Sequence, residues 1–295
     1  MRYLQNTKTR IGVRFDSVED MMQATSFAES HANPTATAEQ REVNRQELKD
    51  REVLSSWAEG ITDADSLANL FANPPEWLIE AGTKCLDTIN AAVGSRLDAP
   101  IKRRRRIGVE DGDSVNIDRF LVRSPEPWER MDSYRNTTPI VTITVDLVTA
   151  GGQSREELLW RGAAAVGAAM QIERLGGQCE IIGINSVAKV DGERRLIQEI
   201  LIKPVHEKAT LSSTLICTGH VGFYRYAVLN SFFACSVGKV RPGMGHVMDT
   251  PPGILKKDIG SDIHIGRNCT SASKAIAEAN AAIESFDKKG QEQHV

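Results

Sequence analysis

Asp146 is the residue best placed to do chemistry. It closes the β-branched run Ile140–Asp146 (IVTITVD), and the turn TAGGQS (149–154) follows after Leu147-Val148. A carboxylate at a strand end, ahead of a glycine turn and a helix start, is how many α/β proteins begin a phosphate or metal site. Oxygen ligands in that place suit Mg²⁺, which needs a near-octahedral oxygen shell. The Gly151-Gly152 pair, however, is not followed by the Lys-Ser/Thr of a P-loop and has no GxGxxG spacing, so nucleotide binding is not indicated. Thr149, Arg161 and His220 are the other side chains that could face a ligand near Asp146. Arg161 is expected to pair with Asp146 or Glu157. His220 and Arg225 are expected to lie on a packed helix beside Phe223, Tyr224 and Tyr226. Asp146 itself reads as a strand-end residue that bonds the backbone of the TAGG turn.

A second cluster is the run Lys102, Arg103, Arg104, Arg105 and Arg106. Five cations in a row can contact the phosphates of a polyanion, but without interleaved aromatics they carry no base-reading signal. A solvated hinge is the expectation, with weak, non-specific nucleic-acid binding as the functional alternative. No HExxH, HxH or CxxC pair occurs, and the five cysteines and six histidines are dispersed. Reduced, buried thiols and no dedicated zinc site are expected. No Ser/His/Asp or Cys/His set assembles by local spacing, which leaves convergence from distant positions as the route to an enzyme. The segment RPGMGHVMDTPPG (241–253) carries Arg241, His246 and Asp249 and reads as a plain connection.

The elements that must position these residues follow from periodicity. IVTITVD alternates as a strand, with Val141, Ile143 and Val145 on one face. Ser154 caps a helix with Glu156 and Glu157 in its first turn, and Gly176-Gly177 stops it. Its many small residues let it lie close to a sheet. CEIIGIN and RRLIQEILIK, joined around Asp191-Gly192, read as a hairpin. A helix over TGHVGFYRYAVLNSFFACS, a short strand SDIHIG and a final helix from Thr270 or Ser271 complete the C-terminal half. Upstream, RIGVRF is a strand and VEDMMQATSFAES a helix capped by Asp16 or Ser17. Two helices flank Asn73-Pro74-Pro75, the second with a core stripe through Trp77, Leu78, Cys85, Leu86, Ile89 and Val93. Val115, Ile117, Phe120 and Leu121 suggest a short strand or extended arm packed on the domain. The expected division is a mainly helical region over 1–100, a basic linker and arm over 101–137, and an α/β domain over 138–295.

Composition narrows the partners. Hydrophobic residues make up 41% and charged residues 25% of 295, ordinary for a globular protein. A net charge of −3 excludes a surface that coats nucleic acid throughout, while allowing one basic patch. No signal-like h-region and no long apolar run is present, so a cytoplasmic location without membrane contact is expected.

The order strand–helix–hairpin–helix–strand–helix resembles a von Willebrand factor A-type Rossmannoid domain. More closely, GDSVNIDRFLVRSPEPWERM, VTITVDLVTAGGQSREELLWRGAAAVGAAMQIERLGGQCEI, GHVGFYRYAVLNSFF and SDIHIG resemble a family of uncharacterised bacteriophage and prophage proteins with such a core. The fold this implies is a three-layer α/β sheet containing an antiparallel hairpin, behind a helical N-terminal part. A working von Willebrand A metal site is similar to Asp-x-Ser-x-Ser. Here Asp146-Leu147-Val148-Thr149-Ala150 keeps the aspartate, but Val148 and Ala150 replace both serines and Thr149 is out of register. Asp262 precedes its strand, so it does not supply the second carboxylate. The expectation is therefore a degenerate site without metal or cofactor. A non-enzymatic protein-binding or assembly module comes first, a nucleic-acid-associated phage protein second and a Rossmannoid enzyme third.

Overall fold

The computed structural model describes residues 1–6, 10–30, 59–61, 63–93, 104–109, 114–132, 140–148, 153–187, 195–229, 231, 250 and 252–292. The chain divides into two compact units, one joining Met1–Gly94 to Pro139–Val295 and the other comprising Ser95–Thr138. Segments 1–94 and 139–295 are thus one body, which differs from a separate N-terminal helical region.

In the larger unit, β1 (Arg2–Asn6), β2 (Arg10–Phe15), β6 (Ile140–Asp146), β7 (Gln178–Val187), β8 (Arg195–Lys203) and β9 (Ile263–Ile265) form a mixed sheet of order β1-β2-β8-β7-β6-β9. β6 runs parallel to both β7 and β9, while β7 and β8 pair antiparallel as the expected hairpin arms. The turn at Asp191-Gly192 lies outside the described residues. β2 joins β8 in parallel and β1 closes the edge antiparallel. The N-terminus therefore extends the sheet, because the alternating apolar residues of RIGVRF (Ile11, Val13, Phe15) are buried in the same core as Leu196 and Ile200 of β8.

The helices are α1 (Val18–Ser30), α2 (Ala64–Ala72), α3 (Glu76–Val93), α5 (Arg155–Arg174), α6 (Leu211–Gly219) and α9 (Ala272–Glu292), with a π-type turn, α7 (Phe223–Val228), after α6. α4 (Ile117–Leu121) belongs to the smaller unit. Ser17 Oγ accepts from the Asp20 N–H at the start of α1, and Ser154 and Glu157 form a reciprocal capping box on α5. Gly176, at φ +81°, turns the chain out of α5 into β7. α5 is buried on nearly every side. Its small residues serve helix neighbours more than the sheet: a Cβ on Gly162 would sit 2.2 Å from Thr218 Oγ1 of α6, and one on Gly167 3.1 Å from Ile89 of α3. The core stripe of α3 meets this surface.

The other sheet face differs. Ile182, Ile184 and Ile197 are covered there by α8, the helical segment Pro252–Ile254 with its continuation Leu255–Ile259. The architecture is α/β with a mixed central sheet flanked by helices. The helix expected over TGHVGFYRYAVLNSFFACS instead starts at Leu211 and breaks at His220, and residues 232–236 lie outside the described set. Four cysteines among the described residues (Cys85, Cys179, Cys217 and Cys269) are free and buried. No helix of the described residues is long and apolar enough to cross a membrane.

The smaller unit holds an antiparallel sheet of order β3-β5-β4, from β3 (Arg104–Val109), β4 (Ser114–Val115) and β5 (Trp128–Asp132). Between β4 and β5 stands α4 (Ile117–Leu121). Two expectations are corrected here. Arg104–Arg106 are not a hinge but the start of a strand, because they pair with Asp132, Met131 and Arg130. Val115 does lie in a short strand, β4, but Ile117, Phe120 and Leu121 form no packed arm: Asn116 caps a helical turn by accepting from the Arg119 N–H, and those side chains stay exposed.

Candidate functional site at the carboxyl end of β6

β6 is the strand at which the topology switches, with β7 reached through α5 on one side and β9 on the other. The crevice outside the carboxyl ends of such strands is where open α/β sheets bind ligands. Asp146 is the last residue of β6, at that end of the sheet, and only 2% exposed. Its Oδ2 accepts from the Arg267 backbone N–H (3.2 Å) and lies 3.6 Å from His264 Nε2. Its bond is thus to the loop after β9, while Thr149–Gly152 of the TAGG turn lie outside the described residues. The Asp146 Oδ1 atom is buried without a hydrogen-bond partner among the described residues. His264 stands on β9 with Nδ1 3.0 Å from Thr144 Oγ1, which is 2.7 Å from Ser261 Oγ. Thr144 Oγ1 also donates to the Ile263 carbonyl (3.2 Å), and the direction of its contact with Nδ1 follows from the His264 tautomer. This Asp–His–Thr–Ser chain joins residues more than a hundred positions apart, invisible to local spacing. Thr144 is fully buried, which denies it a nucleophile's access to substrate.

Arg161 corrects another expectation. It forms no ion pair with Asp146 or Glu157 within 4.0 Å among the described contacts; its Nη1 donates to the Val148 carbonyl (2.8 Å) and its Nη2 to the Thr218 carbonyl (2.9 Å). It is 1% exposed, and burial lowers its pKa to about 10 against the pull of Asp146, so it stays charged. The guanidinium is an internal cation bracing the end of β6 against α6. Tyr224 and Cys269, both buried, have their pKa values raised by burial to about 12. Neither is an activated nucleophile at neutral pH.

His220 lies apart from Asp146's hydrogen bonds, at the break after α6. Its Nδ1 accepts from the Gly222 N–H (3.1 Å) and its Nε2 faces Glu59 Oε2 at 3.5 Å. Burial lowers its pKa, Glu59 opposing and Arg155 assisting. Glu59 also accepts from Arg155 Nε (2.7 Å), whose guanidinium lies 5.0 Å from the centre of the Trp77 ring. Local sequence signals do not mark Glu59 or Arg155, and they mark Trp77 only as part of a core stripe. The one local sign is Glu59-Gly60, both at positive φ (+53° and +84°), a turn that needs a glycine.

The first of the two serine positions, Val148, is 2% exposed within the hydrophobic core, while Ala150 lies outside the described residues. No group of three or more His, Cys, Asp or Glu able to hold a metal occurs among the described residues. Asp262 accepts from the Thr142 N–H and from Lys289 Nζ, at the opposite end of β6. Of the basic run, Lys102 and Arg103 lie outside the described residues. Arg241, His246 and Asp249 do as well.

The sequence model of a family described as a domain of unknown function (DUF7192) matches residues 5–293. The chain belongs to the DUF7192 family. No curated protein and no solved structure matches it. The DUF7192 match spans both compact units, so the basic strand and α4 fall within it as well as Asp146.

Proposed function

We propose that this protein is a non-enzymatic protein-binding or assembly module of a bacteriophage or prophage, built on a von Willebrand A-like core whose metal site is degenerate. The phage context rests on the resemblance of the sequence segments quoted above. The observation that carries the degenerate site is Val148: the first serine position of the metal motif holds an apolar side chain buried in the core. Arg161 supplies a fixed positive charge nearby, and Asp146 is tied to the Arg267 backbone.

A ligand that binds only the folded state raises its stability by mass action. Thermal unfolding in excess Mg²⁺ and in chelator is therefore expected to give the same midpoint. A clear rise with Mg²⁺ overturns the degenerate-site reading. Tagged protein recovered from infected cells should bring down one defined protein, in equal yield with Asp146→Ala. Loss of that protein in the variant would place Asp146 in the interface.

Association with nucleic acid is the second reading, favoured by charge. The unit Ser95–Thr138 has ten Lys and Arg against eight Asp and Glu, a net of +2, whereas the remainder has 26 against 31, a net of −5. If Lys102–Arg106 contact phosphates, affinity for DNA falls steeply with salt, and Arg103, Arg104, Arg105 and Arg106→Ser flattens that dependence. We expect weak binding, equal across sequences and absent at physiological salt. Tight binding there, lost in the variant, promotes this reading to first.

A further inference from the structure

The smaller unit presents an apolar surface that none of its described residues covers. Ile117, Phe120, Leu121 and Val122 are 70%, 62%, 71% and 76% exposed, all within two helical turns. The backbone beneath them is well built. Asn116 Oδ1 accepts from the Arg119 N–H (3.1 Å), and Asn116 Nδ2 donates to Glu129, itself 3% exposed. At the far end Ser124 N–H donates to the Arg119 carbonyl (2.9 Å), and Arg123 is held at φ +54°. A non-glycine residue in the left-handed region is strained, so the turn is held there by its surroundings. A capped, strained turn with its large apolar side chains in water is a docking surface by the usual physical criterion.

Charge indicates the occupant. Arg119 and Arg123 flank the apolar residues, in a unit of net +2. The larger unit is net −5, and its α2–α3 segment concentrates that charge: Asp63, Asp65, Glu76, Glu80 and Asp87 are exposed there, against Lys84 alone as a cation between 63 and 93. Half-buried Phe71, Trp77 and Ile79 fall between these acids in the sequence, Phe71 packed edge-on to Phe223 and Trp77 beneath Arg155. An anionic bilayer fits the patch less well, since Asp118 stands in its middle. Phosphates of a nucleic acid would leave its four apolar residues unused.

We propose that the α4 patch of one copy docks on the acidic α2–α3 face of a second copy, with Phe120 and Leu121 as apolar anchors and Arg119 and Arg123 pairing with acids at the rim. An apolar centre inside a charged rim is the normal anatomy of a protein interface. The two surfaces differ, so the contact is heterologous, and association continues to a ring or an open chain. This deepens the assembly reading above and rests on its protein-binding half.

Sedimentation of the full chain tests it. The weight-average mass of the wild type should climb from 32.4 kDa as concentration rises through the micromolar range. Phe120→Asp should stay at 32.4 kDa with unchanged circular dichroism, since the side chain it alters is exposed. Arg119→Glu with Arg123→Glu should weaken association at least about tenfold, as should Glu76→Arg with Glu80→Arg. Mixing the two reversed proteins should restore growth, because each now complements the other. A wild type that stays monomeric throughout, or a Phe120→Asp protein that associates like wild type, overturns the proposal. So does a patch whose substitution abolishes binding to short duplex DNA or to phosphatidylserine vesicles while leaving the mass unchanged. The magnesium result does not depend on self-association, so the two readings fail separately.

Discussion

Arg161→Met is expected to lower the stability of the protein by about 3 kcal/mol, enough to shift its urea midpoint well outside error. The side chain is 1% exposed and bridges two backbone carbonyls, Val148 at the end of β6 and Thr218 in α6. Methionine has similar length and fills the space, so the loss is not chiefly a cavity. What remains is two buried carbonyls without these donors, each costing about 1–3 kcal/mol, and Asp146 deprived of a nearby positive charge. Against this stands the relief of a buried cation, which is why the expected loss is nearer 3 than 5 kcal/mol. Arg161→Lys should fall between, since one ammonium cannot reach both carbonyls with the fork of a guanidinium. Equal midpoints for Met and wild type would show that the bridge contributes nothing.

That bridge also marks how far the sequence could be read. The unit from β6 through β8 was legible because its signals are local: a β-branched run, a Ser/Glu capping box, a glycine pair and alternating arms. Asp146, Arg161 and His220 were legible as residue types in suggestive places. Their partners were not. Val148 and Thr218 serve Arg161 through carbonyl oxygens 13 and 57 positions away, and every residue has a carbonyl. Arg267 holds Asp146 through its N–H from 121 positions away. Glu59 reaches His220 from a turn whose glycine signals a bend but not its neighbour. The apolar stripe of α3 promised a buried helix without naming α5 as its surface, so the N-terminal segment read as separate. For the basic run, the pairing of Arg104–Arg106 with β5 overrode a composition that suggests solvated loop.

Glu199→Gln is expected to stabilise the protein at pH 8.5 by about 2–3 kcal/mol and to change little at pH 4. Glu199 lies on β8, 4% exposed, on the polar stretch of the sheet face, with Arg14 Nη1 at 3.7 Å. Burial is the main cause that raises its pKa from 4.5 to about 7; Arg14 and Arg10 oppose it, while Glu180 and Asp258 add to it. Arg14 is shared with Glu180 at 3.7 Å, and Arg10 is engaged by Asp258 at 2.5 Å, so neither cation is free to neutralise Glu199 fully. The folded protein therefore holds this proton more tightly than the unfolded chain. Below about pH 4.5 both states keep it and the group has no effect. Between 4.5 and 7 the unfolded chain releases the proton first, so stability falls as pH rises. Above about 7 the cost is constant. Glutamine copies the protonated form at every pH and leaves Arg14 its bond to Glu180. Urea unfolding of both proteins at pH 4 and pH 8.5 measures the difference directly. A variant less stable than wild type at pH 8.5 would mean that the Arg14–Glu199 attraction outweighs burial, and a gap of equal size at both pH values would exclude titration of Glu199 as its source.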